Sequence, residues 1–143
     1  MALEPDLLSS LPWWETKRPL PGARVMRISL RTAHLLAFAA LYGGHVYGVA
    51  AAELRPALLA TVATGVALMG LELYRTPVWP VQVRGLATFL KLALVAAVAV
   101  YWPWRLWFLT AAAIIGGISS HMPGQFRYFS VLHGRVVGGQ EGG

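Results

Sequence analysis

The chain has 143 residues, 57% hydrophobic and 13% charged, with no cysteine and a formal net charge of +6. Soluble domains average about 45–50% apolar and about 25% charged residues, so this balance points to a membrane. The length allows one domain, and the missing cysteines exclude disulfides, thiolate nucleophiles, iron–sulfur clusters and cysteine-based zinc sites.

The positive charge does not read as a nucleic-acid surface, and no nucleic-acid partner is expected. The basic residues sit at the ends of apolar runs, where topology signals of membrane proteins lie. The first residues, MALEPDLLSS, carry Glu4 and Asp6 in place of a positive leader region, so insertion through the chain's own helices is expected.

Residues 1–27 are expected outside the bilayer core, as a cytoplasmic or interfacial segment. Leu7, Leu8, Leu11, Trp13 and Trp14 give it an apolar side, and Pro12, Pro19 and Pro21 forbid one long helix. Indole rings favour the headgroup region, so Trp13 and Trp14 fit an interfacial anchor. A partly disordered tail is the alternative.

The first spanning helix is predicted over 28–52, long enough for the roughly 20 apolar residues that a crossing needs. It carries His34, His45 and the glycines Gly43, Gly44 and Gly48. Gly44 and Gly48 form a small-xxx-small pair, which lets helix backbones approach where lipid gives no hydrophobic push. Pro56 opens a second helix over 56–74, since its missing N–H costs nothing at the first helical position. Thr61 and Thr64 on it can return their hydroxyls to its own carbonyls. After RTPVWP a third helix is predicted over 81–102, with Arg84 and Lys91. YWPWR (101–105) makes a hairpin turn into a fourth over 104–122, where Gly116 and Gly117 mark close packing. Pro123 and Gly124 end that helix. Residues 123–143 are expected as a cytoplasmic surface tail with a flexible GGQEGG end.

Four spans put both termini on one side. Lys17, Arg18, Arg24, Arg27, Arg31, Arg75, Arg84, Arg127 and Arg135 fall there, against Arg55 and Arg105 on the other. Positive residues stay inside, so both termini are expected in the cytoplasm of a bacterial inner membrane. All the tryptophans fall near predicted helix ends, the pattern of an aromatic belt.

The chemistry available is sparse. His34 and His45 lie about three turns apart on one helix face, roughly 16 Å along the axis. His121 sits at about the depth of His34, so the two are candidate axial ligands of a b-type haem held between helices. Arg31 and Arg127 would then be candidate propionate partners. His45 has no partner at its depth and reads as packing glue beside Gly44 and Gly48. Glu72 matches Arg84 in depth, and the two are expected to pair. Lys91 lies near the midplane and needs a cavity, a snorkelling path or a partner on another subunit. No serine–histidine–acid set, paired carboxylates or phosphate loop appears, so a catalytic role is not expected.

The run Ala33–Gly44, AHLLAFAALYGG, resembles a helix of CopD-like bacterial membrane proteins. Within that run the resemblance touches His34, Gly43 and Gly44, and it implies a metal or haem role for the histidine.

The fold expected is an all-α integral membrane protein of four transmembrane helices in two hairpins. Three functions are open: a non-catalytic accessory or assembly subunit that meets other membrane subunits or its own copies, a haem- or metal-binding electron carrier using His34 and His121, and a small transporter with Lys91 and His45 on its path.

Overall fold

The computed structural model describes residues 12–14 and 16–138. The expected apolar side of the N-terminal segment at Leu7, Leu8 and Leu11 lies outside the described residues, as does the end of the chain from residue 139. The fold is all-α but for one small hairpin. Four long helices follow in order: α1 (Ala23–Val46), α2 (Arg55–Arg75), α3 (Val83–Val100) and α4 (Arg105–His121). A short helix, α5 (Gly124–Arg127), leads into strands β1 (Phe129–Ser130) and β2 (Arg135–Val136). Single 3₁₀ turns at Trp79–Val81 and Trp102–Trp104 precede α3 and α4.

Packing is hairpin by hairpin. α1 lies along α2, α3 lies along α4, and a thinner seam joins α1 to α4. That seam carries a Tyr42–Thr110 hydroxyl hydrogen bond of 2.9 Å. α2 and α3 are each long and apolar enough to cross a membrane, and almost none of either is buried within the protein.

α1 differs from the sequence expectation at both ends. It starts at Ala23, straight after Gly22 in a left-handed turn, and stops at Val46 instead of reaching Ala52. The stop is a backbone device. Gly48 has φ +72°, its N–H meets the His45 carbonyl at 3.4 Å, and the Val49 N–H reaches the Gly44 carbonyl at 2.9 Å. That paired closure satisfies the carbonyls of the last turn and needs a residue tolerant of positive φ. Gly48 therefore turns the chain, and it is not half of a helix-packing pair: a Cβ there would meet nothing within 4 Å. Gly44 is a close-contact position, since a Cβ on it would run into the Leu54 side chain.

The deepest burial is not between the long helices. It lies in a cap where the N-terminal segment, the α2–α3 connection and the C-terminal hairpin meet. Gln82 and Ser130 are fully buried, and Val137, Thr76, Val78 and Trp79 nearly so. The Arg18 N–H reaches the Arg75 carbonyl at 2.9 Å, and the Val131 N–H reaches Val81 at 3.0 Å. Gln82 pairs with Ser130 as an isolated antiparallel bridge beside the β1–β2 pair. The segment after Pro123 is thus folded back on the connection rather than simply lying along a surface, although Phe126, Val131 and Leu132 stay exposed. Gly85 makes the approach possible, because a Cβ there would strike the Trp79 carbonyl.

Candidate functional site: a polar cluster between the helices

The helices bring together polar groups that the apolar runs would otherwise isolate. His34 on α1 turns its ring to α2. Its Nδ1 lies 3.0 Å from the Thr61 carbonyl and 3.1 Å from Thr64 Oγ1. A carbonyl only accepts, so Nδ1 carries the proton and donates. Thr64 spends its own proton on the Ala60 carbonyl at 2.6 Å, which leaves its oxygen free to accept from the ring. The consequence is chemical: Nε2 of His34 keeps its lone pair. Thr61 likewise donates to Ala57 at 2.7 Å.

The ring fits because Gly65 lacks a side chain. A Cβ at Gly65 would sit 3.2 Å from His34 Cε1. Replacing Gly65 by Val is expected to push the ring off Thr61 and Thr64 and to cost about 1–3 kcal/mol. Gly70 on the same helix faces open space, so Gly70→Val should change stability by no more than about 0.5 kcal/mol. Thermal unfolding of both variants in detergent checks the contrast, and equal effects would disprove the packing account.

Lys91 on α3 completes the cluster. Its stem and amine pass near Gly116 on α4, with Cδ 3.7 Å and Nζ 3.9 Å from a Cβ built there. Its charge falls within electrostatic range of His34, and that of Arg31 within range of Lys91. His34 with Thr61 and Thr64 thus forms a bonded group between α1 and α2, with the charge of Lys91 on α3 within range of it and Gly116 on α4 leaving room for the lysine stem. The carboxylates of the described residues are Glu53 and Glu72, and neither is among the neighbours that perturb Lys91 or His34. Such a cluster can hold an anionic group or a partner's carboxylate.

The other residues singled out in the sequence, apart from Arg31 at the cluster's edge, lie away from it. His121 is exposed at the end of α4, and its Nδ1 donates to the Gly117 carbonyl at 2.9 Å. No hydrogen bond or ring contact joins His34 to His121 among the described residues. Arg31 is exposed, and Arg127 lies over the Tyr128 ring at 5.7 Å. His45 is buried and meets Trp102 edge to face at 5.5 Å. The contact seen at this ring is aromatic, with Trp102 rather than with the neighbouring Gly44 and Gly48.

Glu72 and Arg84 pair at 2.8 Å in the cap, and Arg27 reaches the other carboxylate oxygen at 3.6 Å. Arg84 also donates from Nε to Gln82 Oε1 at 2.7 Å and stands over the Tyr128 ring at 4.8 Å. Sequence reasoning missed Gln82 altogether, as well as the link from its Nε2 to the Val137 carbonyl at 2.7 Å. It missed too the Ser130 Oγ to His133 Nδ1 contact of 2.8 Å. That pair lies three residues apart across the β1–β2 turn, and the same serine oxygen accepts from the His133 N–H at 3.4 Å, so it reads as turn closure.

The described residues contain no group of three or more His, Asp or Glu side chains that could hold a metal ion. The chain matches no protein-family model, no curated protein and no solved structure.

Proposed function

We propose that this chain is a four-span protein of a bacterial inner membrane, with both termini cytoplasmic, acting as a non-catalytic accessory or assembly subunit of a larger membrane complex. The observation that carries the reading is the uneven packing: two hairpins joined by a thin seam, with the long faces of α2 and α3 left open. Lipid covers part of such surface, and a neighbouring subunit gains by covering the rest through close van der Waals fit. Lys91, with no carboxylate partner among the described residues, is the group that a partner's acidic side chain would match.

Length and composition support α2 and α3 as spans, and length alone supports α1 and α4. α1 has 24 residues and α4 has 17, or about 36 and 26 Å at 1.5 Å per residue. The topology is supported by charge. The cap gathers Arg18, Arg27, Arg75, Arg84 and Arg127 at one end, while Arg55 and Arg105 belong to the opposite end, and the positive end stays inside.

The cysteine-free sequence makes the topology testable. A single cysteine at Ala51 is expected to react with a membrane-impermeant maleimide on intact cells, and one at Gln125 only after permeabilisation. Equal labelling would refute the orientation. Light scattering of the protein extracted in mild detergent is expected to give a protein mass above the 15.5 kDa of one chain. A strictly solitary monomer would sink the subunit reading.

One observation favours b-type haem as a second reading. Both His34 and His121 donate Nδ1–H to a backbone carbonyl, which is the tautomer that leaves Nε2 free for a metal. Haem bound through such an imidazole would supply one-electron transfer. A reduced-minus-oxidised spectrum of protein from haem-replete cells should then show a b-type α-band that His34→Ala removes. A flat difference spectrum excludes it.

A further inference from the structure

Beside the cap an open groove of about 550 Å³ runs along the start of α1, lined among others by Leu20, Arg24, Arg27, Ile28, Arg31 and Arg75. Arg24, Arg27 and Arg31 follow at i, i+3 and i+7, so they share one helix face. Arg75 joins them from the last turn of α2. Of these four guanidinium groups only that of Arg27 meets a carboxylate among the described residues, Glu72 at 3.6 Å, and Arg84 already holds that carboxylate at 2.8 Å. The Nε of Arg75 is buried with no hydrogen-bond partner, and that of Arg27 is buried with only the 3.6 Å ion pair to Glu72. A buried donor left unpaired costs free energy, and an oxygen-rich anion repairs it.

The groove also has an apolar wall. Val25 and Ile28 are exposed at 67% and 57% on the same stretch of helix. Charge recognition beside exposed aliphatic surface, at the end of spanning helices, matches the two halves of a lipid. We infer that this groove is a binding site for an anionic phospholipid, its phosphate held by Arg24, Arg27, Arg31 and Arg75 and its acyl chain lying against Val25 and Ile28. Arginine suits the phosphate because its planar fork can bond two oxygens at once. The proposal rests on the membrane reading above and goes beyond it by assigning a ligand class to a site.

Native mass spectrometry of the delipidated full chain in neutral detergent provides the test, with phosphatidylglycerol, phosphatidylcholine and inorganic phosphate titrated separately. Phosphatidylglycerol is expected to be retained as a discrete adduct, phosphatidylcholine is not, and inorganic phosphate is expected neither to bind nor to displace the lipid. Arg24→Gln with Arg31→Gln should weaken phosphatidylglycerol binding about 30-fold. Those two side chains make no hydrogen bond or ion pair among the described residues, so the fold should survive, and thermal unfolding checks that it does. Arg55→Gln at the opposite end should leave binding unchanged. Equal retention of the two lipids, displacement by inorganic phosphate, or an unaffected double variant would each overturn the site. Recovery of the chain without detergent would instead overturn the membrane reading, so the two failures are distinguishable.

Discussion

Gln82→Leu should release the C-terminal hairpin while leaving the long helices formed. Gln82 has no exposed surface, and its amide works in two directions. Nε2 donates to the Val137 carbonyl at 2.7 Å, and Oε1 accepts from Arg84 Nε at 2.7 Å. The orientation is fixed by chemistry, since a carbonyl can only accept and a guanidinium can only donate. Leucine fills similar volume but pairs with neither group. Each buried polar group left unsatisfied costs about 1–3 kcal/mol, so a loss of roughly 2–6 kcal/mol is expected for the two. The loss falls locally, because Gln82 backbone atoms still start α3: its carbonyl accepts from Gly85 at 2.9 Å and from Leu86 at 3.0 Å. Trypsin cleavage after Arg127 and Arg135 should therefore accelerate while far-ultraviolet circular dichroism keeps its helical signal. Unchanged cleavage, with stability within about 0.5 kcal/mol of the parent, would show that the cap does not depend on this side chain.

The four helices are legible in the sequence because apolar runs broken by prolines and charges are a local signal. The error at the end of α1 shows where that signal stops. Ala50, Ala51 and Ala52 are as apolar as the helix before them, but Gly48 at φ +72° has already turned the chain. The fold-back of the tail is not legible at all. Gln82 and Val137 are joined by one polar contact across a long sequence separation, and no periodicity announces such a bond. His34 is a mixed case. Thr61 and Thr64 do satisfy their own helix, as hydroxyls in apolar helices commonly do. The Thr61 carbonyl and the Thr64 oxygen nevertheless retain accepting capacity, and the ring uses both. Lys91 could be recognised as anomalous from its place in the middle of an apolar run, but its course past Gly116 depends on how α3 meets α4.

The second large effect is expected at Glu72. Its side chain is 14% exposed and that of Arg84 11%, so their 2.8 Å pair is largely shielded from water. One carboxylate serves two arginines, with Arg27 at 3.6 Å on its other oxygen, and Arg84 Nη2 already lacks a hydrogen-bond partner. Glu72→Gln keeps the shape and removes the charge, leaving the guanidinium with the neutral Gln82 Oε1 at 2.7 Å and the Tyr128 ring at 4.8 Å but no counter-charge. Breaking a buried pair from one side costs about 3–5 kcal/mol, because the remaining charge is uncompensated. Removing both charges together is a different experiment. A buried pair replaced by apolar groups of similar volume is often neutral or better, so Glu72→Gln with Arg84→Met should recover much of the loss. The recovery will be incomplete, since Arg84→Met also strips Gln82 of the donor to its Oε1. Thermal unfolding of the two single variants and the double variant measures the coupling directly. Additive losses would mean that the pair is solvated and weak, and that the cap is held by Gln82 and its backbone bonds instead.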